Sequence, residues 1–340
     1  MKAVAYLKPG VDFVDVPDAQ EPKDYMDWVK IKTAYCGICG TDAHIVGGHF
    51  DGLIPDGVAF PVGHEVSGTI LELGPKATSK GLKVGDKVAF YFNYHCGKCH
   101  YCRTGKENMC LNIEANLSVM TDFFYAHEQQ VYKLPESIDL LEGAMTEPVS
   151  FALRVVECGN VVPGETALIS GGGAIGLISM QLLKHAGASK ITVVEPVEAK
   201  RKLALELGAH YVIDPMNEDV QARIDEITNG LGYDSVYECS GAIPTIQSML
   251  EYVARCGTVV YVAMYGFEQC ANVNLWTLFD KEIKVTAPHQ SPYTWERAIN
   301  ILPDLNLEVF TKSVFKKEDC VAAFEEQKTS KQTKVMIDLR

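Results

Sequence analysis

Residues 166–176 read TALISGGGAIG: an apolar strand signal runs directly into glycines at Gly171, Gly173 and Gly176 and then into a helical pattern. In a strand–turn–helix unit, G-x-G-x-x-G allows a tight turn, close approach of a pyrophosphate to the backbone and tight packing of the helix. Ala174 and Ile175 fill the turn while the helix N-terminus faces the phosphates. An acidic residue is expected about 20 positions on, at the end of the second strand, and Glu195 closes ITVVE there. A carboxylate at that place accepts hydrogen bonds from ribose hydroxyls and repels a 2′-phosphate, so NAD is expected rather than NADP. Lys200 and Arg201 follow close by, and Arg201 is taken as a further cofactor contact.

Downstream the pattern repeats. Strand signals at 166–170, 190–195, 210–214, 234–240, 257–264 and 282–287 alternate with helical patterns at 174–187, 197–207, 218–229 and 243–255, with Gly208 well placed to end the second helix. This alternation predicts an α/β Rossmann domain, a doubly wound parallel sheet of six strands, over residues 151–289. Before residue 150 the texture is β-rich: AVAYL, WVKIKTAY, VSGTILELG and VGDKVAFYF are short runs punctuated by Gly and Pro. Residues 290–340 hold a helical SPYTWERAINIL and a closing VMIDL strand. They fit no seventh unit of the alternation, so they are expected to return to the first domain.

At 340 residues the chain suits two domains. A net charge of −13 speaks against a basic footprint for nucleic acid or anionic membrane and favours a small-molecule substrate. There is no apolar run of membrane-spanning or signal-peptide length, so a cytoplasmic protein is expected. A reducing compartment does not maintain disulfides, which turns the eleven cysteines toward metal or core roles.

Four of them, Cys96, Cys99, Cys102 and Cys110, are spaced C-x2-C-x2-C-x7-C in a polar loop, so four thiolates can converge on one tetrahedral ion. Four thiolates leave no position for substrate, which marks the site as structural. An iron–sulfur cluster also takes four thiolates, but a loop on a β-rich domain points to zinc. Cys158, Cys239, Cys256, Cys270 and Cys320 are expected to be small core residues. GICGTDAH (37–44), GHE (63–65) and TEP (146–148) add a thiolate at Cys39, an imidazole at His64 and carboxylates at Glu65 and Glu147, a mixed set suited to an open zinc site.

The ordered combination of GICGTD with a following His, PVGHE, VGDKV, the four-cysteine lobe, the EP pair and GGGAIG resembles the zinc-dependent medium-chain dehydrogenase/reductase family, in its sorbitol (polyol) and threonine dehydrogenase branch. The resemblance spans nearly the whole chain. It implies a GroES-like β-rich catalytic domain formed by residues 1–150 and 290–340, two zinc ions per chain, and NAD as cofactor. It implies Cys39 and His64 as catalytic-zinc ligands with Glu147 as the third, while Glu65 either orients a zinc-bound water or exchanges onto the metal. It further implies that Thr41 accepts the substrate proton and passes it through cofactor ribose hydroxyls to His44, and that the chain assembles as a homotetramer or dimer.

The expected activity is hydride transfer between a secondary alcohol or polyol and NAD, giving a ketone or ketose. L-threonine 3-dehydrogenase is the alternative within the class. A catalytically silent zinc- and NAD-binding protein is the alternative outside it. No cluster of Arg or Lys lies near the ligand motifs, which favours neutral polyols over sugar phosphates.

Overall fold

The computed structural model describes every residue except Asp24, Tyr25, Thr78 and Phe267, Glu268 and Gln269. Its chain divides into two compact units, Met1–Glu147 with Pro292–Arg340, and Pro148–Ser291.

In the first unit a seven-stranded sheet runs Val131–Lys133, Lys87–Phe90, Glu65–Leu73, Trp28–Gly37, Val335–Asp338 and Ser313–Lys316, with Phe123–His127 also pairing with Trp28–Gly37. That aromatic strand pairs antiparallel with Trp28–Lys32 of its neighbour. The final strand enters as an antiparallel neighbour of Trp28–Gly37, with Met336 opposite Gly37 and Ile337 opposite Cys36. Both chain ends thus feed one core, in which Val29, Ile31, Ile70, Phe90 and Phe124 pack with Phe324, Val335 and Ile337. A smaller sheet joins Val11–Asp15, Lys2–Tyr6 and Phe60–Pro61.

The second unit is a six-stranded, all-parallel sheet ordered Tyr211–Ile213, Lys190–Val194, Thr166–Ser170, Tyr233–Glu238, Val253–Tyr261, Lys284–Thr286. In order of sequence this is 3-2-1-4-5-6, the doubly wound dinucleotide topology with its switch point beside Thr166–Ser170. Val194, Leu168 and Val236 belong to its buried core. The helix Glu198–Leu207 ends at Gly208, whose φ of 109° is left-handed.

Two expectations are corrected and one element is added. The helical pattern at 243–255 ends at Tyr252; Val253 already belongs to the next strand, which runs to Tyr261, because β-branched residues suit a pleated surface better than a helix. The segment after the EP pair, given no element from sequence, is the helix Thr146–Gly159, with Pro148 tolerated in its first turn. Of the five cysteines expected in the core, Cys320 is buried, whereas Cys256 and Cys270 are exposed and Cys158 and Cys239 lie between. Among the described residues no helix is long and apolar enough to cross a membrane.

Candidate active site and metal centres

The lobe gathers its four thiols as the spacing requires. All four sulfurs lie within 4.8 Å of one another, with Cys99 to Cys102 at 3.6 Å, Cys96 to Cys110 at 3.5 Å and Cys99 to Cys110 at 4.0 Å. Four sulfurs about 2.3 Å from one tetrahedral ion stand about 3.8 Å apart, so the donors fit such an ion. Backbone N–H groups already face them: those of Cys96 and Asn112 point at the Cys110 sulfur at 3.5 and 3.4 Å. Hydrogen bonds from the Lys98 and Cys99 backbone draw the Cys96 thiol down to about 6, the thiolate form that a metal needs.

The second cluster is built from distant segments. Cys39 precedes the short helix Gly40–Val46, His64 follows the tight Gly63 turn (φ 96°), and Glu65 opens the strand Glu65–Leu73. Their donor atoms also lie within 4.8 Å of one another.

Asp42 stitches these segments together. Fully buried, it accepts the Cys39 N–H at 2.8 Å on one oxygen and the Gly63 N–H at 3.0 Å on the other. The Nδ1 of His64 stands 3.6 Å from the same carboxylate, a carboxylate–imidazole arrangement that leaves the other ring nitrogen for a ligand. Burial works against a charged His64, but Asp42 and Cys39 outweigh it and raise its pKa. The Phe92 ring meets the imidazole edge to face at 5.1 Å.

Sequence reasoning missed Asp42 and also Lys334. Lys334, 6% exposed, forms a buried ion pair with Glu65. Burial would lower its pKa, yet Glu65 and then Cys39 hold it raised. A Cβ on Gly37 would collide with both members of the pair, so a larger residue there would have to displace them. Lys334 could not be read from its own segment, because the pairing of the last strand with residues 35–37 is what brings it to the site.

Glu147 stands outside the three-donor group, in the first turn of Thr146–Gly159. Burial raises its carboxyl to about 7, with Glu65 and Asp42 adding to the rise and His64 and Lys334 opposing it. Thr41 places its hydroxyl 3.8 Å from the Cys39 sulfur. His44 lies edge to face with His49 at 4.8 Å, and burial, then His49, lowers its pKa from 6.5.

In the parallel-sheet unit Gly171 has φ 105°, and a Cβ there would stand 2.9 Å from the Ser240 nitrogen. A Cβ on Gly176 would collide with the Gly171 carbonyl oxygen, whereas one on Gly173 would meet only open space. Glu195, 5% exposed, accepts the Gly172 N–H at 2.6 Å and the Val197 N–H at 2.8 Å, one on each oxygen. Arg201 is committed elsewhere: it donates to the carbonyls of Glu195 and Pro196 at 2.7 Å and pairs with Asp214 at 2.8 Å.

Two family models match the chain, "Alcohol dehydrogenase GroES-like domain" over residues 25–136 and "Zinc-binding dehydrogenase" over residues 174–303. A sorbitol dehydrogenase of Halalkalibacterium halodurans is 33% identical, covering 92% of this chain and 91% of that protein. A D-arabitol-phosphate dehydrogenase of Enterococcus avium is 31% identical, covering 99% of this chain and 97% of its own. The crystal structure of a zinc-binding dehydrogenase from Clostridium scindens superimposes with a TM-score of 0.89 at 32% identity, covering 96% of this chain and 93% of that one.

Proposed function

The chain belongs to the zinc-dependent medium-chain dehydrogenase/reductase family, in its polyol and threonine dehydrogenase branch, and we propose that it exchanges a hydride between a secondary alcohol or polyol and NAD, with a ketone or ketose as product. The observation that carries this is the convergence of Cys39, His64 and Glu65 on one point, backed by Asp42 and Lys334.

In this reading Cys39, His64 and Glu65 hold the catalytic zinc, with Glu147 next to them for exchange, and the four lobe cysteines hold a second, structural zinc. Zinc at the mixed site supplies Lewis acidity, which makes the substrate hydroxyl acidic near neutral pH. Lys334 holds the Glu65 carboxylate in place and balances its charge. Thr41 accepts the hydroxyl proton as its own passes on toward His44, which, half-buried in the site's short helix, releases it toward solvent. Removal of that proton lets the carbinol carbon give up hydride to the nicotinamide. Gly171, Gly173, Ala174, Ile175 and Gly176 receive the pyrophosphate, and the free lone pairs of Glu195 accept the adenosine ribose hydroxyls. Arg201, tied to Asp214, is not offered to a 2′-phosphate, which supports NAD over NADP. Lys200 is buried, which lowers its pKa, while the nearby Glu195 charge works the other way.

Neutral polyols are preferred over sugar phosphates, because the cation at the cluster, Lys334, is already paired with Glu65. A cytoplasmic location and a homo-oligomeric state belong to the same proposal. For self-association the support is Leu275, Trp276 and Phe279, which are 74%, 68% and 76% exposed on one helix, followed by the edge strand Lys284–Thr286.

The test is NADH formation from a panel of polyols, secondary alcohols, sugar-alcohol phosphates and L-threonine, before and after removal of accessible zinc. Activity on polyols that disappears with the metal and returns with added zinc is expected. Turnover of L-threonine or a phosphate alone would move the substrate class. A zinc-loaded protein that binds NAD and oxidises none of the panel would favour a silent binder.

A further inference from the structure

The half of the parallel sheet remote from Glu195 carries a carboxylate with no role so far. Glu238 ends the strand Tyr233–Glu238 and is fully buried. One of its oxygens accepts the Ser240 N–H at 2.9 Å, the Gly241 N–H at 3.0 Å and the Ser240 hydroxyl at 2.5 Å. The other accepts the Tyr265 hydroxyl at 2.6 Å and the Gly241 N–H at 3.2 Å.

These bonds join the ends of neighbouring strands. Ser240 and Gly241 form the turn after Glu238, while Tyr265 lies just beyond Val253–Tyr261, the parallel neighbour on that side. The same turn leans on the glycine motif, since the Cys239 N–H donates to the Ser170 carbonyl at 2.8 Å and Gly171 leaves no room for a Cβ against Ser240. One buried carboxylate therefore ties together the carboxyl-end loops of two strands, beside a turn that has its own backbone contacts to them. Ligands of doubly wound sheets bind at those carboxyl ends, one mononucleotide to each half. Glu195 assigns the adenosine to the half that contains Lys190–Val194, so the half built on Tyr233–Glu238 and Val253–Tyr261 receives the nicotinamide.

We propose that Glu238, acting through Ser240, Gly241 and Tyr265, is a positioning residue for the nicotinamide half of the dinucleotide. The inference rests on the reading that this sheet binds NAD. Glu238 touches no reacting atom; it sets the loops against which the nicotinamide and its ribose lie. A loss there weakens contacts to that half of the cofactor and leaves the adenosine half in place.

The experiment compares NADH with ADP-ribose, which keeps the adenosine and both phosphates but lacks nicotinamide, on zinc-loaded full-length Glu238→Gln and Tyr265→Phe by calorimetric titration. Expected are a Kd for NADH raised about tenfold in E238Q and about threefold in Y265F, with ADP-ribose binding within about twofold of the parent. Equal losses for both ligands would reduce Glu238 to a structural group, and no loss for NADH would remove it from the site; either result overturns the proposal. Y265F deletes one hydroxyl and keeps the test open should E238Q fold poorly. A parent protein that binds neither ligand would instead overturn the dinucleotide reading itself.

Discussion

The two thiol-bearing clusters occupy the same unit and are made by opposite means. The lobe takes all four donors from one short loop, where backbone N–H groups and sulfurs converge with little apolar packing beneath them. The mixed cluster takes Cys39 from one segment and the adjacent His64 and Glu65 from another, and holds them with Asp42, a buried ion pair and strands of the main sheet. On the proposed two-zinc reading, a loop whose ligands are its main cross-links depends on its ion for order. A cluster held by sheet and ion pair keeps its shape without one.

The sharpest way to separate them is Cys39→Ser. Turnover is expected to fall by at least about a thousandfold, the scale of losing a Lewis acid worth several kcal/mol, while zinc content drops from two ions to one and the thermal midpoint stays close to the parent. Loss of both ions, measured by atomic emission, would show that the clusters are not independent.

Lys334→Met leaves Glu65 buried without its cation and is expected to weaken zinc retention and turnover about 10–100-fold, the usual cost of removing a group that orients a ligand. Arginine at 334 should recover part of the loss. Zinc retention unchanged in K334M would deny the ion pair that role.

The pH profile tests the proton path. The His44 pKa is lowered by burial and by His49, so its neutral, proton-accepting form persists below pH 6.5. The acid limb of kcat is therefore expected below pH 6.5, and His44→Ala should lower turnover about tenfold at neutral pH and abolish that limb. An unchanged profile would exclude His44 from the path.

Cys102→Ser sharpens the comparison from the other side. It is expected to release the lobe's ion and open the loop to proteolysis, with a far smaller effect on turnover per folded chain than Cys39→Ser. A lobe that resists protease without its ion would contradict the local model.

The smallest effect concerns the final strand. Asp338 is held well below the usual carboxylate range by hydrogen bonds from Arg340, then Lys316, against the cost of burial. A depressed carboxylate contributes stability above its unfolded value, near 3.9, and loses it as pH falls through the folded one. Asp338→Asn should therefore be less stable than the parent at pH 7, by chemical denaturation, with the gap closing in acid below about pH 4.

How much was legible depended on how locally each feature was encoded. The glycine turn, Glu195 and the lobe cysteines are short-range patterns whose spacing carries their geometry. The six parallel strands were likewise visible as alternation. The helix at 146–159 was not, because its apolar face follows a proline that sequence reading treats as punctuation. Arg201 has the right charge and position to meet a cofactor, but Asp214 and two carbonyls engage it.

By itself the sequence determined the alternation of strand and helix, the four-thiol loop and the supply of Cys, His and Glu ligands, since each depends on residues close together in the chain. The tertiary structure decided which carboxylate joins Cys39 and His64, that Asp42 fastens their segments, and that Lys334 and Glu238 are buried where they are. Those outcomes follow from strand pairing and burial between residues far apart in sequence, and no local pattern encodes which distant groups a sheet will bring together.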